Sequence, residues 1–254
     1  MALITETSLR AMLRAGIPDP FLIREGDKLT PAAADFLKDR GIALRRIDQD
    51  ADKEDPRFPL IPVGVSNRHV HLSPQHVEAL FGAGVRLTSM RELSQKGQFA
   101  ARETVALIGL KGSLANVRVL GPARGKTQVE ISRTDGFALG IHPPVRLSGD
   151  IEGTPGIELI GPSGAIQLQE GLILARNHVH LSPEEAHKLH VSSGDRLMLQ
   201  AEGDRPMIFA DAVARIAPNF SLDFHIDLDE ANAARLDTGS FVRLIGINGK
   251  LTGA

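Results

Sequence analysis

Two stretches of this chain carry imidazoles at a spacing suited to a metal. Asn67-Arg68-His69-Val70-His71-Leu72-Ser73-Pro74 returns as Arg176-Asn177-His178-Val179-His180-Leu181-Ser182-Pro183, with HVHLSP identical in both copies and 109 residues apart. Alternate residues of a strand share one face, so each His-x-His brings two rings together at about 7 Å between Cα atoms. A chance surface pair accounts for one such motif, but poorly for an exact duplicate in a chain with 9 His. A third donor for each pair follows from laying residues 121–132 on 217–227 with one residue of gap. Glu130, between Val129 and Ile131, then matches His225, between Phe224 and Ile226, and in an alternating strand both point away from the apolar side. The two sets are His69, His71 and Glu130, and His178, His180 and His225. Three N/O donors with an open fourth position suit a catalytic metal, and imidazole-rich sets favour zinc, with Ni, Cu, Co and Mn left open. An exposed strand carboxylate is the plain alternative for Glu130.

A cationic turn, Gly121-Pro122-Ala123-Arg124-Gly125-Lys126-Thr127, lies just before Glu130. It lacks the pattern of a Walker loop, but a guanidinium on a Gly-flanked turn offers a bidentate fork to phosphate or carboxylate. The turn Arg146-Leu147-Ser148-Gly149-Asp150 also has small and cationic groups suited to an anion. GxSxG is absent and no Ser–His spacing stands out, which disfavours an acyl-enzyme. A metal-activated oxygen nucleophile attacking a carbonyl or phosphoryl group is the mechanism class left. His76, His142, His187 and His190 are expected to stay outside the ligand sets.

The chain of 254 residues has a formal charge of -2, so no global cationic field holds nucleic acid or an anionic membrane, and any anion is bound locally. All 10 aromatics are Phe, which argues against stacking platforms for single-stranded nucleic acid or sugars. The lack of Cys excludes disulfides, thiolate metal sites, iron–sulfur clusters and a cysteine acyl-enzyme. No apolar run approaches the roughly 18 residues of a membrane span, and MALITETSLRAM lacks the flanks of a signal peptide, so a cytoplasmic protein is expected.

The elements that must position the histidines read as strands. From Leu60 onward, PLIPVGVS, ETVALIGL, ANVRVLG, TQVEIS, GIELIGP, AIQLQ, LILARNHVHLS, DRLMLQ, MIFADAVARI, SLDFHIDL and SFVRLIG mostly alternate and are punctuated by Gly, Pro or Asp. Only two helical stretches interrupt them, Pro74 to Phe81 and Pro183 to Leu189, each opening at Ser-Pro. The duplicated unit is thus strand, turn and helix. The fold expected is mainly β, two duplicated β-barrels with short helical caps, rather than a doubly wound sheet. Residues 1–50 differ: SLRAMLRAG puts Leu9, Met12 and Leu13 on one face, with Ser8 as cap and Gly16 as stop, and TPAAADFLKDRG runs from Thr30 and Pro31 to Gly41. This reads as a small helical N-terminal segment, too short to hold a core alone, followed by a charged linker from Asp48 to Arg57.

NRHVHLSP, GPARGKTQVEIS, PPVRLSGD and the second NHVHLSP resemble the PduL-type phosphate acyltransferases (phosphotransacylases, phosphate propanoyltransferases) of bacterial microcompartments, over residues from about 60 to 247. The resemblance implies transfer of a short acyl group, propanoyl or acetyl, between coenzyme A and inorganic phosphate by a zinc-dependent enzyme with two zinc ions per chain. It puts the first metal on His69, His71 and Glu130 and the second on His178, His180 and His225, the sets reached above from the repeat. It also implies a phosphate-contacting Arg124, with Ser66 and Ser148 near the site. One barrel would span residues 68–175 and the other residues 176–247, joined by a strand from residues 51–67, with a tail at 248–254. His142 departs from the family, which more often has Asp followed by Ala there. Members bound for microcompartments carry an encapsulation peptide. Residues 1–50 resemble one in part, which implies a route to shell or cargo proteins, but they are longer and have two helical units, and TPAAADFLKDRGI is rather like a small peripheral-subunit-binding motif. Acyl-CoA, coenzyme A and phosphate are the expected partners, in a homo-oligomer, with neither nucleic acid nor membrane. Two rivals use other logic: a dinuclear metal-dependent hydrolase of thioesters would activate water and need no phosphate, and an assembly module would need neither open metal positions nor Arg124.

Overall fold

The computed structural model describes residues 3–13, 17–24, 27–47 and 58–252, and the chain divides into two units, residues 1–56 and 57–254. Gly16 and the linker Asp48–Arg57 lie outside the described residues. The first unit contains β1 (Leu3–Ile4), α1 (Glu6–Met12), β2 (Phe21–Arg24), β3 (Lys28–Leu29), α2 (Pro31–Lys38) and β4 (Leu44–Ile47). Its strands pair in parallel, β1 with β3 and β2 with β4. The expectation of a helical segment too short to hold a core alone is therefore corrected. Strands of two to four residues are too short to show alternation, yet β2 supplies Phe21 and Ile23 to a core completed by Leu9, Ala33, Phe36 and Leu37. Thr30 caps α2 and Pro31 occupies its first turn, whereas α1 is capped by Thr5, with Ser8 as the reciprocal partner of the capping box.

The second unit runs through β5 (Leu60–Ser66), β6 (His69–His71), α3 (Pro74–Phe81), β7 (Ser89–Glu92), β8 (Phe99–Ile108), β9 (Ser113–Gly121), β10 (Gln128–Ile131), α4 (Arg133–Leu139), β11 (Val145–Arg146), β12 (Glu158–Ile160), β13 (Ala165–Gln167) and β14 (Leu172–Ala175). It continues through β15 (His178–Leu181), α5 (Pro183–Leu189), β16 (Arg196–Ala201), β17 (Met207–Ile216), β18 (Asp223–Asp227), α6 (Leu228–Ala234), β19 (Phe241–Ile247) and β20 (Lys250–Leu251). Two mainly β sheets result. In the seven-stranded sheet, the extra pairing of β16 with β19 closes β16-β17-β15-β18-β5-β19 into a six-stranded barrel. The nine-stranded sheet is a curled, open half-barrel with β11 at one end and β13 at the other. Residues 248–252 do not trail away as a tail: β20 folds back antiparallel on β19.

The duplication is visible as a shared five-strand order, β8-β9-β6-β10-β14 in one sheet and β16-β17-β15-β18-β5 in the other. In each, the motif strand has a parallel neighbour on one side and an antiparallel one on the other. The sheets exchange strands: β5 belongs to the barrel but precedes β6, and β14 belongs to the half-barrel but precedes β15. LILARNHVHLS is thus two strands in two sheets, broken at Arg176-Asn177, where the continuous apolar pattern reads as one.

Four strand ends run directly into short helices, two more than the sequence suggests. Ser73, Ser132, Ser182 and Asp227 cap α3, α4, α5 and α6, each accepting a hydrogen bond from the backbone N–H three residues on. The helices α4 and α6 are missed because seven residues give under two turns of periodicity and, unlike α3 and α5, neither has a Pro after its cap to mark its start, and RTDGFAL carries an internal Gly136. Beneath the caps, Val70, Leu72, Val129 and Ile131 pack in the core of one sheet, and Val179, Leu181, Phe224 and Ile226 in that of the other.

Candidate active site

Alternation turns the other faces of β6, β10, β15 and β18 toward a shared cleft of ≈ 960 Å³. Antiparallel register sets Glu130 opposite His69, and His225 opposite His178. The structure therefore brings together the two sets read from the repeat. Each offers three donor atoms within 4.8 Å of one another, one from His69, His71 and Glu130 and one from His178, His180 and His225. Arg124, Ser66 and Ser148 line the same cleft. His76 instead reaches Thr127 Oγ1 at 2.7 Å, and the His142 ring stands 5.0 Å from that of Phe137. His190 is the left-handed C-cap of α5.

In the first group, His69 Nε2 is 3.4 Å from Glu130 Oε2 and His71 Nε2 is 4.0 Å from Oε1. Burial raises the cost of the Glu130 charge, but His69, then His71 and His178, outweigh it and hold the carboxyl well below its ordinary range. Burial likewise opposes a proton on His69, yet the facing Glu130 wins and raises its pKa. His71 goes the other way, lowered to about 3 by burial and by His69. In the second group, burial and then neighbouring imidazoles lower His178 to about 4 and His180 to about 2. The two groups feel each other across the cleft, since the Glu130 charge acts on His178 and His180.

These donors fit a divalent ion. Nδ1–H of His69 donates to the Asn67 carbonyl at 2.8 Å, and that of His178 to the Arg176 carbonyl at 2.7 Å, leaving Nε2 of both rings as a lone-pair donor. His180 Nε2 is buried without a hydrogen-bond partner, a costly state for a polar atom unless something coordinates it. Buried imidazoles, of which His71, His178 and His180 are held neutral, beside one ionised carboxylate are the donor chemistry of a zinc-type site.

Four further residues shape the site without having been singled out in the sequence. Gln128 donates to Glu130 Oε1 at 2.5 Å and Ser148 Oγ at 2.9 Å and accepts from the Gly149 backbone at 2.7 Å, tying the first group to the Ser148 turn. Arg124 Nη2 donates to the same Ser148 Oγ at 3.3 Å. Arg215, on β17 in register with His180, is a further cation of the cleft. Burial weighs on the charge of both arginines, and Arg215 adds to the burden on Arg124, while Glu130 opposes these effects. Among the described residues, neither guanidinium has a carboxylate within ion-pair distance, so both charges face the cleft uncompensated. Asp223, whose Oδ2 lies 3.0 Å from His225 Nε2, and Gln95, beside both His180 and His225, complete the second group. Asp223-x-His225 was legible as an alternating pair; nothing near Gln95 or Arg215 in the sequence points to a site.

Comparison with known proteins places the chain in a family. The sequence profile of a family described as phosphate propanoyltransferase matches residues 62–237. The phosphate propanoyltransferase of Thermotoga maritima is 54% identical over 188 residues, covering 74% of this chain and 90% of that protein. The enzyme of the same name from Salmonella typhimurium is 50% identical over 188 residues, 73% of this chain and 89% of its own. That of Rhodopseudomonas palustris is 47% identical over 184 residues, 72% and 81%.

Proposed function

Because the chain belongs to the phosphate propanoyltransferase family, we propose that it moves a propanoyl or acetyl group between coenzyme A and inorganic phosphate, acyl-CoA + phosphate = acyl phosphate + CoA. The general activity, a phosphate acyltransferase, follows from the family; the substrates, the metals and the route are this proposal. The observation that carries it is the meeting, in one cleft, of two three-donor groups with the Arg124 and Arg215 guanidinium groups, which have no carboxylate within ion-pair distance among the described residues.

His69, His71 and Glu130 would hold one zinc ion and His178, His180 and His225 a second. A bound divalent ion supplies Lewis-acid polarisation of a carbonyl or phosphoryl oxygen. Arg124 binds the phosphate in a half-buried, charge-assisted fork, with Arg215 facing it, and Ser148 and Gln128 hold the Arg124 turn in place. Ser66, at the end of β5, and Ser148 offer hydroxyls to substrate oxygens. The chain has no Cys, and among the described residues no serine hydroxyl is hydrogen-bonded to a histidine ring to carry the acyl group, so a phosphate oxygen attacks the thioester carbonyl directly and coenzyme A leaves as thiolate.

Steady-state kinetics test this. Thiol release from propanoyl-CoA or acetyl-CoA should require phosphate, yield acyl phosphate and follow a sequential pattern. Full-rate release without phosphate, giving the free acid, would establish the dinuclear hydrolase instead. Residues 1–50 are proposed to dock the enzyme on microcompartment shell or cargo proteins, in a cytoplasmic homo-oligomer. No helix among the described residues is long and apolar enough to cross a membrane.

A further inference from the structure

The turn between β7 and β8 leaves the half-barrel sheet and enters the three-histidine group of the other sheet. It is a tight hairpin, closed by Leu93 N–H to the Gln98 carbonyl at 3.0 Å and Gln98 N–H to the Gln95 carbonyl at 3.1 Å. Its tip is fastened across the cleft by Lys96 N–H to the Asn219 carbonyl at 3.3 Å. Gln95, at that tip, is only 5% exposed although it sits in a loop. Its carboxamide nitrogen stands 3.0 Å from His180 Nδ1 and 2.9 Å from His225 Nε2. The preceding Ser94 donates its hydroxyl to Asp223 Oδ2 at 2.8 Å, and the same oxygen faces His225 Nε2.

An imidazole that gives one nitrogen to a metal leaves the other to the protein, and that second partner fixes the ring's orientation. His69 and His178 use backbone carbonyls of their own chain segments for this purpose. His180 and His225 use side chains instead, Gln95 for both and Asp223 for His225, and the far nitrogen of His180 is the buried one without a partner. Resting on the reading that this group holds a metal, we propose that Gln95 is the positioning residue that orients His180 and His225 from the opposite sheet. The second donor group is then complete only when the β7–β8 hairpin is docked. A buried carboxamide serves because it offers both a donor and an acceptor: before metal arrives its N–H donates to the His180 Nδ1 lone pair while His225 Nε2–H donates to Asp223 Oδ2, and turned over, its oxygen accepts from His180 Nδ1–H and His225 Nε2–H once the other nitrogen of each ring is engaged.

The test uses the full chain carrying His69→Ala, which disables the first group, and compares Gln95, Gln95→Met and Gln95→Glu. Methionine keeps the length and fills the space but makes no strong hydrogen bond, whereas glutamate keeps the acceptor. Zinc affinity is read by chelator competition and ligand geometry by the visible absorption of the cobalt form. Gln95→Met should bind zinc about 10–100-fold more weakly with an altered cobalt spectrum, and Gln95→Glu should restore affinity. Unchanged affinity and spectrum in Gln95→Met overturn the inference alone. So does equal loss in both variants, which would mean packing rather than orientation. No zinc in this group with Gln95 intact overturns the inference together with the metal reading on which it rests.

Discussion

Arg124 and Arg215 keep half-buried charges in the cleft with no carboxylate within ion-pair distance among the described residues, which is unfavourable in the free protein and useful when an anion arrives. Replacing Arg124 with alanine should lower kcat/KM for phosphate by on the order of 10²-fold or more, as for loss of one preorganised oxyanion donor. Arg124→Lys should recover only part of this, because an ammonium cannot reproduce the planar fork. Phosphate-saturation kinetics on both variants decide the matter; an unchanged constant in Arg124→Ala would remove it from the anion site. The imidazoles allow a second prediction, for the chain stripped of metal by chelation. His71, His178 and His180 titrate at about 3, 4 and 2 in the fold, against 6.5 ordinarily. The unfolded chain therefore binds more protons below pH 6.5, and the stability these groups contribute is full above 6.5 and lost as pH falls from there through 4. His69 acts oppositely, since its pKa is raised and its contribution fades as pH rises, but it is one group against three. Thermal melting of the stripped protein should show Tm falling between pH 6.5 and 4. A flat profile would mean that the rings are not buried neutral.

Among the elements, the exchanged strand β5 has the most exacting position. It lies parallel to β18 with Gly64 opposite His225, and a Cβ at Gly64 would stand 2.8 Å from Asp223 Oδ2. That carboxylate is already held by Ser94 and set against His225, so it has little room to yield. Gly64→Ala should therefore weaken zinc binding at the three-histidine group while leaving the His69, His71 and Glu130 group unchanged, as read by stoichiometric titration with zinc. Equal weakening at both groups would point to general disruption of the sheet. Caps share the same logic, because Ser132 and Asp227 end the strands of Glu130 and His225 and fix where each ligand strand stops.

At the scale of the molecule, each unit has its own core: Phe36 and Leu37 belong to that of residues 1–56, while the cores behind the ligand strands are built from residue 61 onward. The family match begins at residue 62, and every proposed donor lies beyond it. A chain lacking residues 1–56 should keep its zinc content and its acyl transfer rate and differ only in association with other proteins. Metal analysis and kinetics of the shortened chain check this. Loss of folding would show that the first unit stabilises the second.

The two groups of three donors that meet in the cleft were legible in the sequence because duplication and strand alternation are local properties: HVHLSP announces itself twice, and period-two patterning places Glu130 and His225 on the same side as the histidines. Barrel-type β architecture followed from the same punctuation of short runs. What pairs with what was decided only in three dimensions. The break at Arg176-Asn177 is hidden along the chain because the runs on both sides of it are apolar, whereas PLIPVGVS ends visibly at Ser66. The exchange of β5 and β14 follows from which edge each strand can complete, a non-local choice. Gln95 meets partners 85 and 130 residues away, and Arg215 comes within electrostatic reach of Arg124 only across the cleft, so no spacing rule reports them. Periodicity carries information about a residue's own strand or helix. The chemistry of this cleft depends on charges and lone pairs brought together from separate sheets, which only the packing of one sheet against the other can do.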